Sequence, residues 1–356
     1  MASLQERIEG WDGECVVVRH DRPTGTWIFI AVHDRTLGMA MGGCRMKVYP
    51  APVDGLKDAQ RLAAGMTLKW AGIRFPLGGG KAVLAVPRPL AGPEREGLLL
   101  RFGDLVEGLG GMYGTGVDLG TTPGDMSVVG RRTGRVAGRR PEDGGAGDPG
   151  PWTALGVFRG MTEAARRAFG SPDLDGRAVL VQGAGGVGRP LALQLADAGV
   201  RVMVSDMRPE RAEALAGEAD GEVVSADAVY DTECDIFAPC AVGAVINADT
   251  IPRLRCRVVA GSANNQLDAD ADADRLAERG ILYVPDFIIN AGGAVAHGIL
   301  EFLDWPESEV EPRVRQIGET VAQILDRAEG DGTTPLAAAE ALARAFIAEQ
   351  AGAASA

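Results

Sequence analysis

The segment Gly183-Ala184-Gly185-Gly186-Val187-Gly188 constrains this chain more than any other. It matches G-x-G-x-x-G, a pattern that 50 glycines in 356 residues can produce by chance, so its surroundings give it meaning. An apolar run, Ala178–Val181, precedes it. Residues 187–199 follow with helical spacing, and a second run, Val202–Ser205, ends at Asp206. Strand, glycine turn, helix and a second strand closing on an acidic residue form the βαβ unit that binds a dinucleotide. The first glycine makes the tight turn, and the second lets backbone N–H groups approach a pyrophosphate. The third allows close helix–strand packing, and the helix N-terminus favours negative charge. Asp206 would accept hydrogen bonds from the adenosine ribose and repel a 2′-phosphate, so NAD is expected over NADP, with Arg208 tempering that preference.

Short apolar runs at 235–237, 258–260 and 281–284 alternate with helical stretches and extend the parallel pattern. The acidic run Asp268–Arg275 reads as the solvated start of one such helix, and residues 307–349 as two helices. Ahead of residue 150 the texture differs. Cys15–Val18 and Trp27–Val32 flank Arg22-Pro23-Thr24-Gly25 and predict a β-hairpin. Leu56, Ala59, Leu62, Ala63 and Met66 predict a helix over 53–70, residues 92–110 read as a helix, and 154–169, beyond residue 150, read as another. Ala82–Val86 predicts a strand that Lys81 enters from a turn of three glycines, Gly78–Gly80. Tyr113–Pro123 is a glycine-broken polar loop around Asp118. The richest Gly/Pro stretch, Gly138–Pro151, marks the domain boundary. The fold expected is two-domain α/β. An N-terminal α/β domain spans 1–148, and a Rossmann-type NAD-binding domain spans 149–329. The C-terminal helices of 330–356 return to the first domain, and a cleft lies between the two.

Lys and Arg number 36 against 49 Asp and Glu, a net charge of −13. Such a chain repels phosphate backbones and anionic lipid surfaces, so neither nucleic acid nor membrane is expected as a partner. No apolar stretch approaches the roughly 20 residues that span a bilayer. The start, MASLQERIEG, lacks the apolar core of a secretory signal, so a cytoplasmic protein is expected. The five cysteines (Cys15, Cys44, Cys234, Cys240 and Cys256) are odd in number and contain no CxxC pair. Reduced thiols are expected, with neither a disulfide scaffold nor a metal site.

A nicotinamide cofactor brings hydride chemistry, so the first half must bind the substrate and move protons. With only three histidines, the candidate acid–base group is Lys81. Lys69 continues the apolar stripe of its helix, and a lysine on an inward face is costly unless it meets an anion. Asp118 would hold Lys81 and shuttle a proton. A lone lysine more often snorkels to the surface and a lone loop aspartate more often forms a turn. The three together carry the reading that each alone does not.

The chain resembles the glutamate/leucine/phenylalanine/valine dehydrogenase superfamily, on its branched-chain and aromatic amino-acid side. The resemblance rests on Leu37–Met46, Arg61–Lys69, Gly78–Val83, Tyr113–Pro123, Gly144–Gly156, the 183–188 turn, Asp235–Cys240, Gly261–Leu267 and Gly280–Gly293, in that order along nearly the whole chain. It implies reversible NAD-dependent oxidative deamination of an L-amino acid to a 2-oxo acid and ammonia. It also implies assembly through the N-terminal domain as a homo-oligomer, dimer to octamer. Lys81 is then the general base that activates water, and Asp118 the catalytic acid/base. Lys69 holds the α-carboxylate with help from the Gly42-Gly43 backbone, and Met66 joins the substrate-binding set. Asn265 and Asn290 match residues near the amino group and nicotinamide. Thr153, Ala238 and Asn264 match cofactor positions beside Gly183, Ala184, Gly185, Gly186, Val187, Gly188 and Asp206. The side-chain pocket reads Met41, Gly116, Ala294 and His297; none is Lys or Arg, so a neutral side chain is favoured, with room for a large one. His297 departs from the family pattern and is either packed away or a polar handle, and Trp152 is a second departure beside the nicotinamide contact. Two alternatives stay open: the same chemistry specialised for an aromatic or unusual amino acid in biosynthesis, and a non-catalytic NAD-binding sensor.

Overall fold

The computed structural model describes residues 10–303 and 305–354. They divide into two compact units. One runs to Gly147 and includes His297–Trp305 and the chain from Ala343 onward. The other is Asp148–Ala296 with Pro306–Leu342. The division falls inside the Gly/Pro-rich stretch Gly138–Pro151. Residues 297–305 join the first unit although the 149–329 domain was expected to hold them, and 330–342 stay with the second. Both exchanges fall within or beside helices, where no shift in composition marks a boundary.

The first unit contains β1 (Cys15–Asp21), β2 (Thr26–Asp34), β3 (Ala40–Met41), β4 (Cys44–Lys47), β5 (Gly78–Ala85) and β6 (Tyr113–Gly114), with helices α1 (Pro52–Gly72), α2 (Gly92–Gly108) and α3 (Pro123–Gly130). β1 and β2 form the expected hairpin, Cys15 opposite Val32. Strand order is β1-β2-β5-β3-β6, and β4 also pairs with β5. β5 is antiparallel to β2 and parallel to β3 and β4. It is buried along its whole length because a helix covers each face. Ala82 and Leu84 pack with Leu98, Leu99 and Phe102 of α2, and Val83 and Ala85 with Ala59 and Ala63 of α1. Side chains alternate along a strand, so Lys81 shares the face of Val83, the one that α1 covers.

The expected glycine turn before Lys81 is instead part of β5, with Gly79 opposite Asp34 and Lys81 opposite Ala31. A Cβ on Gly79 would stand 1.9 Å from Thr67 Oγ1, and one on Gly80 2.8 Å from the Tyr113 ring. The glycines let α1 and β6 approach the strand rather than turn it.

The second unit carries α4 (Gly150–Phe169), β7 (Ala178–Gln182), α5 (Gly188–Asp197), β8 (Arg201–Ser205), α6 (Pro209–Glu218), β9 (Glu222–Val223), β10 (Ile236–Pro239), β11 (Val258–Val259), α7 (Ala271–Glu278), β12 (Leu282–Tyr283) and α8 (Asp286–Ile289). α9 (Gly292–Glu301), α10 (Val310–Asp331) and α11 (Pro335–Ala354) follow. Strand order is β12-β11-β10-β7-β8-β9, every pair parallel. Counted from β7 this is 3-2-1-4-5-6 with the switch point between β7 and β10, the doubly wound dinucleotide order. β9 escaped the sequence reading because both its residues are exposed and too few to show a period. The acidic run at 268–275 is not merely solvated. Asp272 is buried, accepts from Ala269 N at 2.9 Å and pairs with Arg275.

All five cysteines are free. No helix among the described residues is long and apolar enough to cross a membrane, and none of them forms a metal-ligating cluster.

Candidate active site

In a parallel sheet the carboxyl ends of all strands open on one edge, and ligands bind there. In the second unit that edge gathers the turn after β7, Asp206 after β8, Ala238 in β10, residues 261–265 after β11 and Asn290 after β12. Gly183 has φ +110°, and its N–H donates to Ser205 O at 2.7 Å. A Cβ on Gly185 would meet nothing within 4 Å, which leaves the backbone open to a ligand. A Cβ on Gly188 would fall 1.8 Å from Gly183 O, so α5 packs directly onto the turn. Gly183 thus makes the turn, Gly188 admits the helix, and Gly185 keeps its backbone uncovered. Ala184, Gly185 and Gly186 line a hollow of about 400 Å³ with Asp148, Pro151, Arg189, Pro190 and Arg211. Val187 immediately precedes α5, so the turn leads into the helix N-terminus.

Asp206 accepts from Ala184 N and Arg208 N, each at 2.9 Å. Burial raises its pKa, but these two bonds and nearby Arg211 and Arg208 outweigh it, so the carboxyl lies below the usual range. It is therefore an oriented anion. These features fit a dinucleotide: an open glycine backbone, a helix N-terminus behind it and a fixed carboxylate one strand away.

Asn290 Nδ2 donates to Asn264 Oδ1 at 2.7 Å and to Ser262 O at 3.1 Å. Asn265 adopts φ +51°, and its carbonyl accepts from Ala244 N at 2.7 Å. Thr153 lies in the first turn of α4 and donates to Pro149 O at 3.0 Å. A Cβ on Gly293 would stand 2.5 Å from Thr153 Oγ1, so α9, which also carries Ala294, seats on that turn. Trp152 borders a separate hollow with Glu307, Glu311 and Arg315.

In the first unit Lys81 forms an ion pair with Asp118, the two side chains 9% and 15% exposed. The loop that carries Asp118 is tied down at several points. Asp118 N donates to Thr121 Oγ1 at 2.9 Å, and that hydroxyl reaches Cys44 O at 2.9 Å. Leu119 N donates to Asp118 Oδ1 at 2.7 Å. Burial raises the Asp118 pKa, but Lys81, Arg45 and these bonds more than reverse it and hold the carboxyl below its usual range.

Met66 lies 3.2 Å from where a Cβ on Gly42 would stand. Trp70 Nε1 donates to Met41 O at 3.1 Å. Lys69 falls between Met66 and Trp70 on the same helical face, which turns it toward the Met41–Gly42 strand. Gly42 was expected to offer its backbone to a carboxylate. Its N–H instead donates to Gly114 O at 3.2 Å, and its carbonyl accepts from Tyr113 OH at 2.6 Å. What Gly42 and Gly43 provide is proximity. A Cβ would fall 1.8 Å from Gly80 O at Gly42 and 2.8 Å from Asp118 Cβ at Gly43. The side chain of Met41 packs beside Gly114 and Gly116. His297 is buried and its Nε2 meets Gly147 O at 3.1 Å; a carbonyl only accepts, so that nitrogen carries the proton. This bond ties the ring to the 138–147 loop.

The sequence reading missed Arg45. Its Nε stands 3.5 Å from Asp118 Oδ2, and its Nη1 donates to Asp58 Oδ2 at 3.0 Å. Tyr49 OH and Arg61 also donate to Asp58, at 2.7 and 2.9 Å. Arg45 lies one residue past Gly42-Gly43-Cys44, and the signal available was the single charged residue of the Leu37–Met46 stretch.

Comparison with known proteins places these features among relatives. The profile described as Glu/Leu/Phe/Val dehydrogenase, dimerisation domain, matches residues 17–135, and that described as Glutamate/Leucine/Phenylalanine/Valine dehydrogenase matches 204–353. The chain is 41% identical to a leucine dehydrogenase of Thermoactinomyces intermedius over 96% of this chain and 92% of that one. It is 39% identical to a valine dehydrogenase of Streptomyces coelicolor over 94% and 92%. The crystal structure of L-tryptophan dehydrogenase from Nostoc punctiforme superposes with a TM-score of 0.83 at 36% identity, covering 98% of this chain and 99% of that one.

Proposed function

Because this chain belongs to the glutamate/leucine/phenylalanine/valine dehydrogenase family, we propose that it catalyses the NAD-dependent reversible oxidative deamination of a neutral L-amino acid to the 2-oxo acid and ammonia. The unit ending at Gly147 holds the amino acid, and the unit opening at Asp148 holds NAD. The observation that carries the reading is the buried Lys81–Asp118 ion pair, in a chain whose second sheet has the dinucleotide-binding order.

NAD, when bound, would supply the acceptor for the hydride of the amino acid's α-carbon. Gly183–Gly188 and the N-terminus of α5 would hold its pyrophosphate, and Asp206 its adenosine ribose. Thr153, Ala238 and Asn264 would line the nicotinamide side, while Asn265 and Asn290 would orient the carboxamide and the amino group without adding charge. Lys69 supplies the cation that an α-carboxylate needs. Lys81, as the neutral amine, takes a proton from water as the water attacks the imino carbon. Asp118 passes a proton to the departing nitrogen. Ammonia leaves, and the 2-oxo acid remains. The positions expected at the side chain, Met41, Gly116, Ala294 and His297, include no Lys or Arg, which favours an apolar group.

NADH formation measured across a panel of L-amino acids tests this reading. Turnover of leucine, valine or an aromatic amino acid is expected, and activity on none would overturn it in favour of the NAD-binding sensor. In Lys81→Ala, kcat should fall about 10²–10⁴-fold, the usual worth of a general acid–base group. One observation favours the aromatic alternative: a Cβ on Gly116 would meet only ordinary contacts, so space beside Met41 stays open. A kcat/KM for tryptophan or phenylalanine above that for leucine would decide for it. Tighter binding of NADPH than NADH, followed by fluorescence, would overturn the choice of NAD. We also propose a homo-oligomer built through the first unit, dimer to octamer, working in the cytoplasm, where unpaired thiols persist.

A further inference from the structure

We propose that Arg45 is a positioning residue for the deamination: its guanidinium keeps Asp118 a carboxylate aimed at Lys81, while Asp58 and Tyr49 hold the guanidinium in place. The proposal rests on the deaminase reading given above. Charges alternate along one line from the site into α1: Lys81, Asp118, Arg45, Asp58, Arg61. Arg45, Asp58 and Asp118 are each only 14–15% exposed, so this is no solvated surface pair.

Lys81 must be neutral when it accepts a proton from water. If it were the sole cation beside Asp118, each loss of its proton would strand a buried carboxylate. Removing one partner of a buried pair leaves an uncompensated charge, at a cost of several kcal/mol. The carboxylate would then draw a proton to itself and lose its use as the shuttle. A guanidinium does not give up its proton in proteins, so Arg45 is a standing counter-charge that the catalytic cycle never removes. Asp58 has a matching task. It accepts three donors, from Arg45, Tyr49 and Arg61. Those bonds outweigh the burial that opposes them and keep it ionised, with its pKa below the usual range. Arg45 is thereby drawn from two sides.

The groups facing this line are few. Asp118 meets Lys81 from β5 and Arg45 from β4, with the buried Cys44 thiol and Tyr113 hydroxyl nearby. Arg45 meets Asp58 from α1, as well as Tyr49 and Asp118. Arg95 and Asp125 stand farther off and are closed on each other.

Charge makes a signed prediction. Removing a positive charge beside an acid–base pair raises the pH at which its protons leave, and removing a negative one lowers it. In Arg45→Met the acidic limb of the kcat profile should therefore move to higher pH by about one unit, with kcat near neutrality falling about tenfold and KM for the amino acid little changed. In Asp58→Asn the limb should move to lower pH, and Arg45→Lys should return it toward the wild type. A merely structural defect has no reason to give opposite signs.

The chain holds just four lysines, Lys47, Lys57, Lys69 and Lys81. Carbon-13 labelling at the lysine ε-position thus gives an NMR titration with four signals, assigned with Lys47→Arg, Lys57→Arg and Lys69→Arg, which leaves the fourth to Lys81. The Lys81 signal should titrate at higher pH in Arg45→Met and at lower pH in Asp58→Asn. Displacements of the same sign in both, or none in either, would overturn the proposal. Should Arg45→Met not fold, Arg45→Lys and Asp58→Asn decide by the same titration. If the wild type deaminates no amino acid, the deaminase reading fails on its own, while the NMR titration still decides what Arg45 does to the pair.

Discussion

Gly42 shows how little room a residue in this site has. It lies between two short strands that both pair with β5, and its missing side chain is what lets Gly80 O and Met66 close on it. Gly42→Ala forces a Cβ to 1.8 Å from a backbone carbonyl. It should cost about 1–3 kcal/mol, the usual range for overpacking a tight interior, and a chemical-denaturation curve with an unchanged midpoint would refute this. The sequence showed the glycine pair and its neighbours and assigned the Gly42-Gly43 backbone to a carboxylate; the fold bonds the Gly42 N–H to Gly114 O. No one-dimensional pattern distinguishes a glycine that exposes its backbone from one that admits a neighbour. Arg45 was illegible for a related reason: its partners, Asp58 and Asp118, lie 13 and 73 positions away and meet it only through the sheet.

At the scale of elements, α3 is a local device with a long reach. Thr122 and Asp125 form a capping box, each side chain bonding the other's backbone N–H. Asp125 also takes a two-pronged bond from Arg95 of α2, 2.7 Å on each oxygen, and Arg95 reaches Gly120 O at 2.8 Å. This clamps the loop that carries Asp118. Burial raises the Asp125 pKa, but the Arg95 and Thr122 bonds prevail and hold it below the usual carboxylate range. A depressed carboxylate adds stability that is complete above the unfolded value of about 3.9 and is lost as pH falls through the folded value. Asp125→Asn should therefore cost about 1–3 kcal/mol at pH 7. The gap to the wild type should narrow below about pH 3.9, where the unfolded state takes up a proton that the folded carboxyl still resists. Thermal melts at pH 7 and pH 3.5 check it, and a gap of constant size would refute the clamp. The capping signal, Thr-x-x-Asp before an apolar stretch, was present in the sequence; the Arg95 clamp was not, since its partner comes from another helix.

At the scale of the molecule, ligand binding and folding are linked. NADH at about a hundred times its Kd should stabilise the native state by about 2.7 kcal/mol, visible as a rise in Tm. In Asp206→Ala that rise should shrink, because the ribose anchor is gone and the turn loses the acceptor for Ala184 N. An undiminished rise would remove Asp206 from the cofactor site. The sequence by itself determined the βαβ order, the glycine turn, the family and the identities of Lys69, Lys81 and Asp118, because each is written in local periodicity or in a contiguous motif. Tertiary structure alone decided that Gly78–Gly80 are strand, that His297 bonds Gly147 O, that residues 297–305 belong with the first unit, and that Arg45 joins Asp118 to Asp58. Those outcomes depend on which surfaces meet across a sheet, and the free energy of such a meeting belongs to neither partner's own stretch of sequence.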